Sequence, residues 1–271
     1  MNHGIHFISG LPRSGSTLLG AILRQNPRLH AGMSSPVGSL ITALLRQMSQ
    51  DNETSIFIDD EQRQAVLTAV FDAYYHREHP SKVVLDTNRL WCSKLPLLTK
   101  MFPQTKMICC VRHVPWILDS IERLIRRNPF EMSKIFNFES GGTVYSRIEG
   151  LGSGTGMVGF AWNALREGFY GEHADRMLLV TYETLTSEPR RAMAAVYDFL
   201  NEEPFEHDFE NVEFDATEFD ARLGTPGLHT VRKVVRAAQR TTILPPDLNR
   251  RVAQDSFWLD PTLNPNAVKI V

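Results

Sequence analysis

The 271-residue chain has little of the material from which several classes of protein are built. It has only three cysteines, Cys92, Cys109 and Cys110, which are too few for a disulfide framework. Two of them are adjacent, and this does not fit the CxxC spacing of a metal clamp. No apolar run approaches the ~18 residues that a membrane span needs, and the N-terminus lacks the basic and apolar segments of a secretory signal. We therefore expect buried thiols, no metal, no membrane partner and a cytoplasmic location.

Net charge is also small. The formal value of −2 gives no global field to attract nucleic acid or an anionic membrane, although local basic clusters can still bind small anions. With 42% hydrophobic and 22% charged residues, the composition is typical of a soluble globular protein that buries a core. The length fits one α/β domain, and we expect a single domain over residues 1–271. A homodimer is an open alternative to the monomer.

Short apolar runs alternate with segments of helical periodicity. The predicted strands are GIHFISG (4–10), KVVLDT (82–87), KMICCVR (106–112) and RMLLVTYE (176–183). The predicted helices include residues 36–49 and 60–79 and those following the first, third and fourth strands. Such alternation is the pattern of a parallel sheet covered on both faces. We predict an α/β fold of three layers, with a central, mostly parallel sheet flanked by helices.

Three segments depart from this rhythm. Residues 140–156 (SGGTVYSRIEGLGSGTG) are glycine-rich, and we expect a mobile loop. Residues 201–230 are acidic and aromatic with few periodic cues. Residues 245–271 contain Trp258 and several prolines, and we expect a tail that wraps the surface.

The turn after the first strand is the strongest chemical signal. It reads GLPRSGST over residues 10–17, between an apolar strand and the start of a helix. A glycine-containing turn at a helix N-terminus directs backbone N–H groups and the positive helix dipole at an anion. The hydroxyls of Ser16 and Thr17 add two side-chain donors. We predict a phosphate-binding loop, and hence a P-loop type of fold.

The loop lacks the lysine of nucleotide-hydrolysing enzymes. The spacing is that of the G-x-x-x-x-G-K-[ST] motif, but Ser16 occupies the lysine position. ATP and GTP enzymes use that lysine beside Mg²⁺ to neutralise the β- and γ-phosphates. Its absence argues against triphosphate hydrolysis, and Arg13 supplies a cation suited to a charged leaving group instead.

A second anion site is predicted at Arg112 and Ser120. Arg112 follows a buried strand, and Ser120 lies eight residues later in the next predicted helix. Side chains at the carboxyl ends of parallel strands face the crevice where such sheets bind ligands. The guanidinium fork of arginine matches phosphate oxygens.

Together these motifs resemble those of sulfotransferases that use PAPS (3′-phosphoadenosine 5′-phosphosulfate). PRSGSTLL looks like the family's 5′-phosphosulfate loop, P-[KR]-S-G-[ST]-[ST], and CCVRHVPWILDS looks like its 3′-phosphate signature. The likeness spans roughly residues 4–245 and is nearest to tyrosylprotein and bacterial members, because Leu18 replaces the tryptophan of the mammalian cytosolic kind. It implies sulfuryl transfer from PAPS to a hydroxyl or amine of a small-molecule acceptor, without a metal.

The resemblance also implies roles for particular residues. The donor would be bound by Arg13, Ser14, Gly15, Ser16, Thr17, Arg112, Ser120, Tyr182, Arg232 and Arg240. Tyr182 falls in a V-x-Y-E segment whose tyrosine lies near the adenine, and the two later arginines fall in a basic segment that closes over the nucleotide. Arg13 would also act in catalysis by stabilising the leaving phosphate.

The sequence departs from the family at the catalytic base. Met33, Ser34 and Ser35 stand where related families place a glutamate, and DTNRLW replaces a segment with lysine and histidine. Asp86 and His229 are therefore our candidates for the base, and Arg89 for the missing lysine. The structural alternatives are that Asp86 caps a turn and pairs with Arg89, and that His229 is only structural.

Two other functions stay open at this stage. A P-loop kinase for a small metabolite would need Mg²⁺ ligands and a loop lysine, and neither is evident. A nucleotide-binding module with a degenerate catalytic site would explain the missing glutamate and lysine.

Overall fold

The computed structural model describes residues 4–76, 79, 81–130 and 142–271. Its centre is one parallel sheet of six strands in the order β2-β3-β1-β4-β5-β6. The strands are β1 Ile5–Gly10, β2 Leu29–Ala31, β3 Val83–Thr87, β4 Met107–Val111, β5 Met177–Thr181 and β6 Lys269–Ile270. The predicted α/β class and parallel sheet are confirmed. The four predicted strands are β1, β3, β4 and β5, and the short edge strands β2 and β6 are additional.

Helices cover both faces of the sheet. In chain order the described α-helices are α1 Ser16–Leu23, α2 Val37–Gln47, α3 Asp60–Phe71, α4 Leu95–Met101, α5 Val114–Arg127, α6 Val144–Gly152, α7 Met157–Tyr170, α8 Tyr182–Ser187, α9 Pro189–Leu200, α10 Thr217–Arg222 and α11 Pro246–Ala253. The helix predicted over 60–79 is α3, which starts at a capping box of Asp59 and Gln62 and continues as a π-helix over Asp72–His76. Part of that predicted segment (77, 78 and 80) lies outside the described residues.

The core is divided by the sheet into two apolar clusters. Alternate residues of β1 face opposite ways, so Phe7 packs in one cluster and Ile8 in the other. Adjacent Cys109 and Cys110 of β4 divide between the clusters in the same way. All three cysteines are buried and free, as expected. This burial on both faces explains why the central strands are continuous apolar runs.

The strand order places a ligand crevice at the carboxyl end of β1. Strands β3 and β4 flank β1 on opposite sides, so successive crossovers leave β1 in opposite directions. In open α/β sheets this topological switch point is where ligands bind. The loop after β1 and the arginine after β4 therefore meet in one crevice.

The predicted mobile loop at 140–156 is wrong over most of its described length. Val144–Gly152 is the helix α6, which starts at a capping box of Thr143 and Ser146. It buries Ile148 and Leu151 in the core. Residues 140 and 141 lie outside the described residues. An apolar pair at i, i+3 spacing and a good N-cap thus outweigh the glycine content.

The prediction of a surface-wrapping tail at 245–271 is also wrong in its main point. The segment forms α11, buries Phe257 and Trp258, and returns to the sheet as β6. Leu178 and Leu179 of β5 pair in parallel with that strand. No helix in the described part of the chain is both long enough and apolar enough to cross a bilayer.

One buried histidine makes the fold sensitive to acid. His6 of β1 is 6% exposed, and its Nδ1 accepts a hydrogen bond of 3.1 Å from the Lys106 backbone N–H. Burial, with the nearby Lys106 charge as a smaller cause, lowers the pKa of His6 to about 4 from 6.5. Protonation would therefore remove an acceptor and place a charge in the core.

We predict that the free energy of unfolding falls between pH 6.5 and pH 4. In that window the unfolded chain binds a proton at His6 that the folded chain does not, and the two pKa values correspond to about 3 kcal/mol. His6→Asn keeps an acceptor but does not titrate, so urea unfolding at several pH values should show a slope smaller by about one proton. His173→Asn, at a partly exposed site, is the control for losing a histidine. An unchanged slope in His6→Asn would contradict the prediction.

Candidate functional site

The loop after β1 has the backbone of an anion-binding nest. Arg13 has φ 59° and Gly15 has φ 95°, both left-handed, and α1 begins at the next residue, Ser16. The first N–H groups of a helix have no intrahelical acceptor, and here they face the crevice together with the positive end of the helix dipole. The loop also needs a glycine at its start, because a Cβ on Gly10 would lie 2.3 Å from the Cys110 carbonyl oxygen.

The second predicted anion site is in direct contact with this loop. One Arg112 Nη donates to the Arg13 carbonyl oxygen at 3.3 Å, and Arg13 Nε donates to Ser120 Oγ at 3.2 Å. The Arg112 guanidinium lies 3.9 Å from the centre of the Tyr182 ring, a cation–π contact that fixes its plane. The structure thus brings four sequence-predicted residues into one cluster, here called the arginine cluster: Arg13, Arg112, Ser120 and Tyr182.

Burial makes these cations strong partners for an anion. Desolvation, and next the charge of Arg112, lowers the pKa of Arg13 to about 10. Desolvation likewise lowers the pKa values of Arg112 and Arg240. Both groups stay protonated near neutral pH, but their charged forms are poorly hydrated. The Nε atoms of Arg112 and Arg240 are buried and have no hydrogen-bond partner among the described residues.

The cluster lies in a cleft of about 770 Å³. Among the described residues that line it, every charged side chain other than histidine is an arginine and none is a carboxylate: Arg13, Arg89, Arg112, Arg123, Arg127, Arg232, Arg236 and Arg240. Ser16 and Thr17 also line the cleft, as predicted. Such a lining is suited to a ligand with several negative charges. Within the ranges that the structure describes, no cluster of three His, Cys, Asp or Glu side chains could hold a metal ion.

Ser14 does not fit its predicted role as a side-chain donor. It is fully buried, its Oγ is directed at the Pro12 carbonyl oxygen at 3.4 Å, and it is absent from the cleft lining. Only its backbone can contribute to an anion site. Its neighbours on either side, Arg13 and Gly15, do line the cleft.

A histidine–aspartate pair lies at the rim of the cleft. His229 Nδ1 is 2.5 Å from Asp220 Oδ1, and the His229 backbone N–H donates to Asp220 Oδ2 at 2.8 Å. A carboxylate accepts and does not donate, so the Nδ1 proton faces Asp220 and Nε2 keeps its lone pair. Asp220 is 2% exposed and His229 lines the cleft. This pair has the chemistry of an oriented general base.

The pair is held beside the arginine cluster. One Arg13 Nη donates to the carbonyl oxygen of Leu228, the residue before His229. The sequence nominated His229 but missed Asp220, which lies nine residues earlier in a segment with few periodic cues. Only the fold of that segment, with α10 at Thr217–Arg222, brings the two together.

Asp86 is placed differently from the prediction and does not line the cleft. It is 1% exposed, in the core beneath the crevice. Its carboxylate accepts from Tyr75 Oη at 2.5 Å, Ser35 Oγ at 2.6 Å and Trp91 Nε1 at 2.8 Å. Desolvation raises its pKa. The side chain joins three elements and is not positioned to receive a proton from a substrate.

Arg89 lies at the carboxyl end of β3, on the side of the loop opposite Arg112. It lines the cleft, and it does not pair with Asp86, whose partners are Ser35, Tyr75 and Trp91. Desolvation by the surrounding wall lowers its pKa. The turn-capping alternative with an Asp86–Arg89 pair is therefore wrong, and Arg89 stays a candidate for the site.

Comparisons with known proteins agree with this geometry. A model described as "Sulfotransferase family" matches residues 6–207. "Protein-tyrosine sulfotransferase 1" of Danio rerio is 26% identical over 205 residues, which cover 72% of this chain and 52% of that protein. The Homo sapiens protein of the same name is 28% identical over 112 residues, which cover 39% of this chain and 30% of that protein. The chain thus spans about half, or less, of these relatives' length.

Among solved structures, the chain is similar to the "Sulfotransferase Domain from the Curacin Biosynthetic Pathway". The TM-score is 0.54 at 18% sequence identity, over 93% of this chain and 96% of that chain. At this identity the likeness shows the fold alone. It agrees with the three-layer α/β architecture described above.

We predict that Asp86→Ala destabilises the fold and that Asp86→Asn leaves the chemistry intact. Removing the carboxylate leaves buried donors of Tyr75 and Trp91 unpaired, at about 1–3 kcal/mol each. Urea unfolding of Asp86→Ala should show this loss. Asp86→Asn, which keeps an acceptor, should retain the wild-type rate of sulfuryl transfer per folded molecule. A large loss of rate in a folded Asp86→Asn protein would restore Asp86 as a catalytic candidate.

Proposed function

The chain belongs to the sulfotransferase family, and we propose that it transfers a sulfuryl group from PAPS to a hydroxyl or amine of a small-molecule acceptor, releasing PAP. The proposal is supported above all by one observation. Arg13 contacts both Ser120 and the residue before His229, so the phosphate loop, the second anion site and an oriented base converge in one cleft.

The residues present fit an adenosine bisphosphate. We assign its 5′-phosphate to the N–H groups of the loop with Ser16 and Thr17, and its 3′-phosphate to Arg112 and Ser120. Ser120 Oγ accepts from Arg13 Nε, which leaves its own O–H to donate to a phosphate oxygen. The buried, unpartnered Nε atoms of Arg112 and Arg240 are donors that such a ligand could satisfy. Arg232, also on the cleft wall, is exposed and available to the same ligand.

In the proposed chemistry, the acceptor oxygen or nitrogen forms a bond to sulfur as the bond from sulfur to the 5′-phosphate oxygen breaks. His229 Nε2 takes the acceptor proton, and Asp220 stabilises the imidazolium that results. The electron pair of the broken bond goes to the phosphate, where Arg13 and the loop N–H groups stabilise the charge. Arg89 is placed to hold the transferring group from the opposite side.

The alternatives have less support. A kinase would need Mg²⁺ ligands, and no carboxylate is found among the described residues of the cleft wall. A degenerate module would lack a base, whereas the Asp220–His229 pair supplies one. The curated relatives are named for protein tyrosine. We favour a small-molecule acceptor because the cleft volume of about 770 Å³ is in the range of small-molecule sites. A cytoplasmic location stays a prediction.

We predict that PAP stabilises the protein and that ATP with Mg²⁺ does so less. At a concentration of 100 times its dissociation constant, a ligand of the folded state adds about 2.7 kcal/mol. Thermal unfolding with each nucleotide measures this. Arg112→Gln should abolish most of the PAP shift, because the 3′-phosphate then loses its guanidinium partner.

Arg190→Gln is a matched control, since Arg190 is an exposed arginine paired with Glu206, outside the cleft lining. It should keep the full PAP shift. A strong response to ATP with Mg²⁺ and none to PAP would overturn the proposed function in favour of the kinase.

We also predict that His229→Gln lowers kcat for sulfuryl transfer about 10²–10⁴-fold, the usual contribution of general base catalysis. The KM for PAPS should change little, because His229 is not assigned to the nucleotide. The measurement is steady-state kinetics with PAPS and a panel of phenols, alcohols and amines. The acid limb of the wild-type pH–rate profile should disappear in the variant.

Asp220→Asn separates orientation from proton transfer. It should fall between the wild type and His229→Gln, because the ring keeps its place but loses its charged partner. His113→Gln, at a histidine outside the cleft lining, should keep the wild-type kcat. Wild-type kcat in His229→Gln, with an unchanged pH profile, would remove this residue from the mechanism.

A further inference from the structure

The most buried acidic group near the cleft is not part of the proposed chemistry. Asp119 lies in α5 directly before Ser120 and has no solvent exposure. Its Oδ2 is 2.9 Å from Arg123 Nε and 3.1 Å from an Arg240 Nη, and its Oδ1 accepts from the Ile243 backbone N–H at 2.7 Å. A buried carboxylate is costly unless it is paired and hydrogen-bonded, and Asp119 is both.

These contacts tie one segment of chain to α5. Residues 240–243 lie in a stretch with neither helix nor strand. Besides the bonds to Asp119, Arg123 donates to the Thr241 carbonyl oxygen, and Arg240 donates to that of Trp116 at 3.2 Å. The Arg240 guanidinium also lies 5.3 Å from the Trp116 ring centre. The segment is therefore held by charge and hydrogen bonds and not by secondary structure.

Arg240 is the member of this group that matters for binding. It lines the cleft, and its charge lies close enough to those of Arg13 and Arg112 to disfavour them. Without a counter-charge, repulsion would turn a long side chain on an irregular segment toward solvent. Asp119 opposes that movement.

We propose that Asp119 is a positioning residue, which holds Arg240 in the cleft so that its guanidinium meets a phosphate of the nucleotide without first being ordered. This inference rests on the proposed function, since it assumes that the cleft binds PAPS and PAP. Preorganised cations bind more tightly because the cost of ordering them is met during folding. Asp119 and Ser120 thus place two different arginines, Arg240 and Arg13, from neighbouring positions on α5.

The same helix provides a matched control. Glu122 is 2% exposed and also pairs with two arginines, Arg126 at 2.9 Å and Arg147 at 2.8 Å. Neither of those arginines lines the cleft. Asp119→Asn and Glu122→Gln therefore both remove a buried carboxylate charge from α5, but only the first affects the cleft.

The test is the affinity for PAP, measured by calorimetric titration, and the kinetics with PAPS. Asp119→Asn should weaken PAP binding about tenfold or more, the effect of losing one well-placed charged contact, whereas Glu122→Gln should stay within about twofold of wild type. The KM for PAPS should rise in Asp119→Asn while kcat per folded molecule changes little. Equal affinities in wild type and Asp119→Asn would overturn the inference.

A double-mutant cycle shows whether Asp119 acts through Arg240. In the Arg240→Gln background, Asp119→Asn should change PAP affinity by less than about twofold, because its partner is already gone. Effects that multiply would contradict the positioning role.

If Asp119→Asn does not fold, Arg240→Lys gives the answer. Lysine keeps the charge but cannot reach Asp119 and a phosphate with one planar fork, so its PAP affinity should lie within about threefold of Arg240→Gln. Wild-type affinity in Arg240→Lys would overturn the inference. Failure of the wild-type protein to bind PAP would sink the proposed function itself, which separates the two outcomes.

Discussion

The arginines of the cleft repel one another, and the protein must hold them together before any anion arrives. Each of the closest three has its own device: Arg112 lies on the Tyr182 ring, Arg13 donates to Ser120 and the Leu228 carbonyl oxygen, and Arg240 pairs with Asp119. These contacts use π electrons, neutral oxygens and one buried carboxylate, and none places a carboxylate on the cleft wall. The positive charge therefore stays available to a ligand.

The parts that local sequence determines could be predicted. A strand–turn–helix with glycines at fixed places forms the loop, and parallel-sheet geometry puts Arg112 in the same crevice. The Asp220–His229 pair could not, because its two members meet only through an irregular segment whose path depends on tertiary packing. The two edge strands were missed for a related reason, since runs of two or three residues carry little periodicity.

Asp86 shows how the twofold period of a strand decides a role. The strand β3 continues to Thr87, so Asp86 lies one residue before its end and points to the face that holds Tyr75 and Trp91. Sequence position alone suggested the ligand edge, but side-chain parity put the carboxylate in the core. Glycine content misled in the opposite direction at 144–152, where a capping box and two apolar residues are sufficient for a helix.

A cleft whose fixed charges are all guanidinium groups separates two kinds of control. Even Arg13, with its pKa lowered to about 10, keeps its proton throughout the physiological range, so acidity does not modulate the attraction for anions. Ionic strength does, because screening acts on every exposed arginine at once. Occupancy of the cleft is thus governed by the salt and the competing polyanions of the surroundings, whereas acidity reaches the chemistry through a single imidazole.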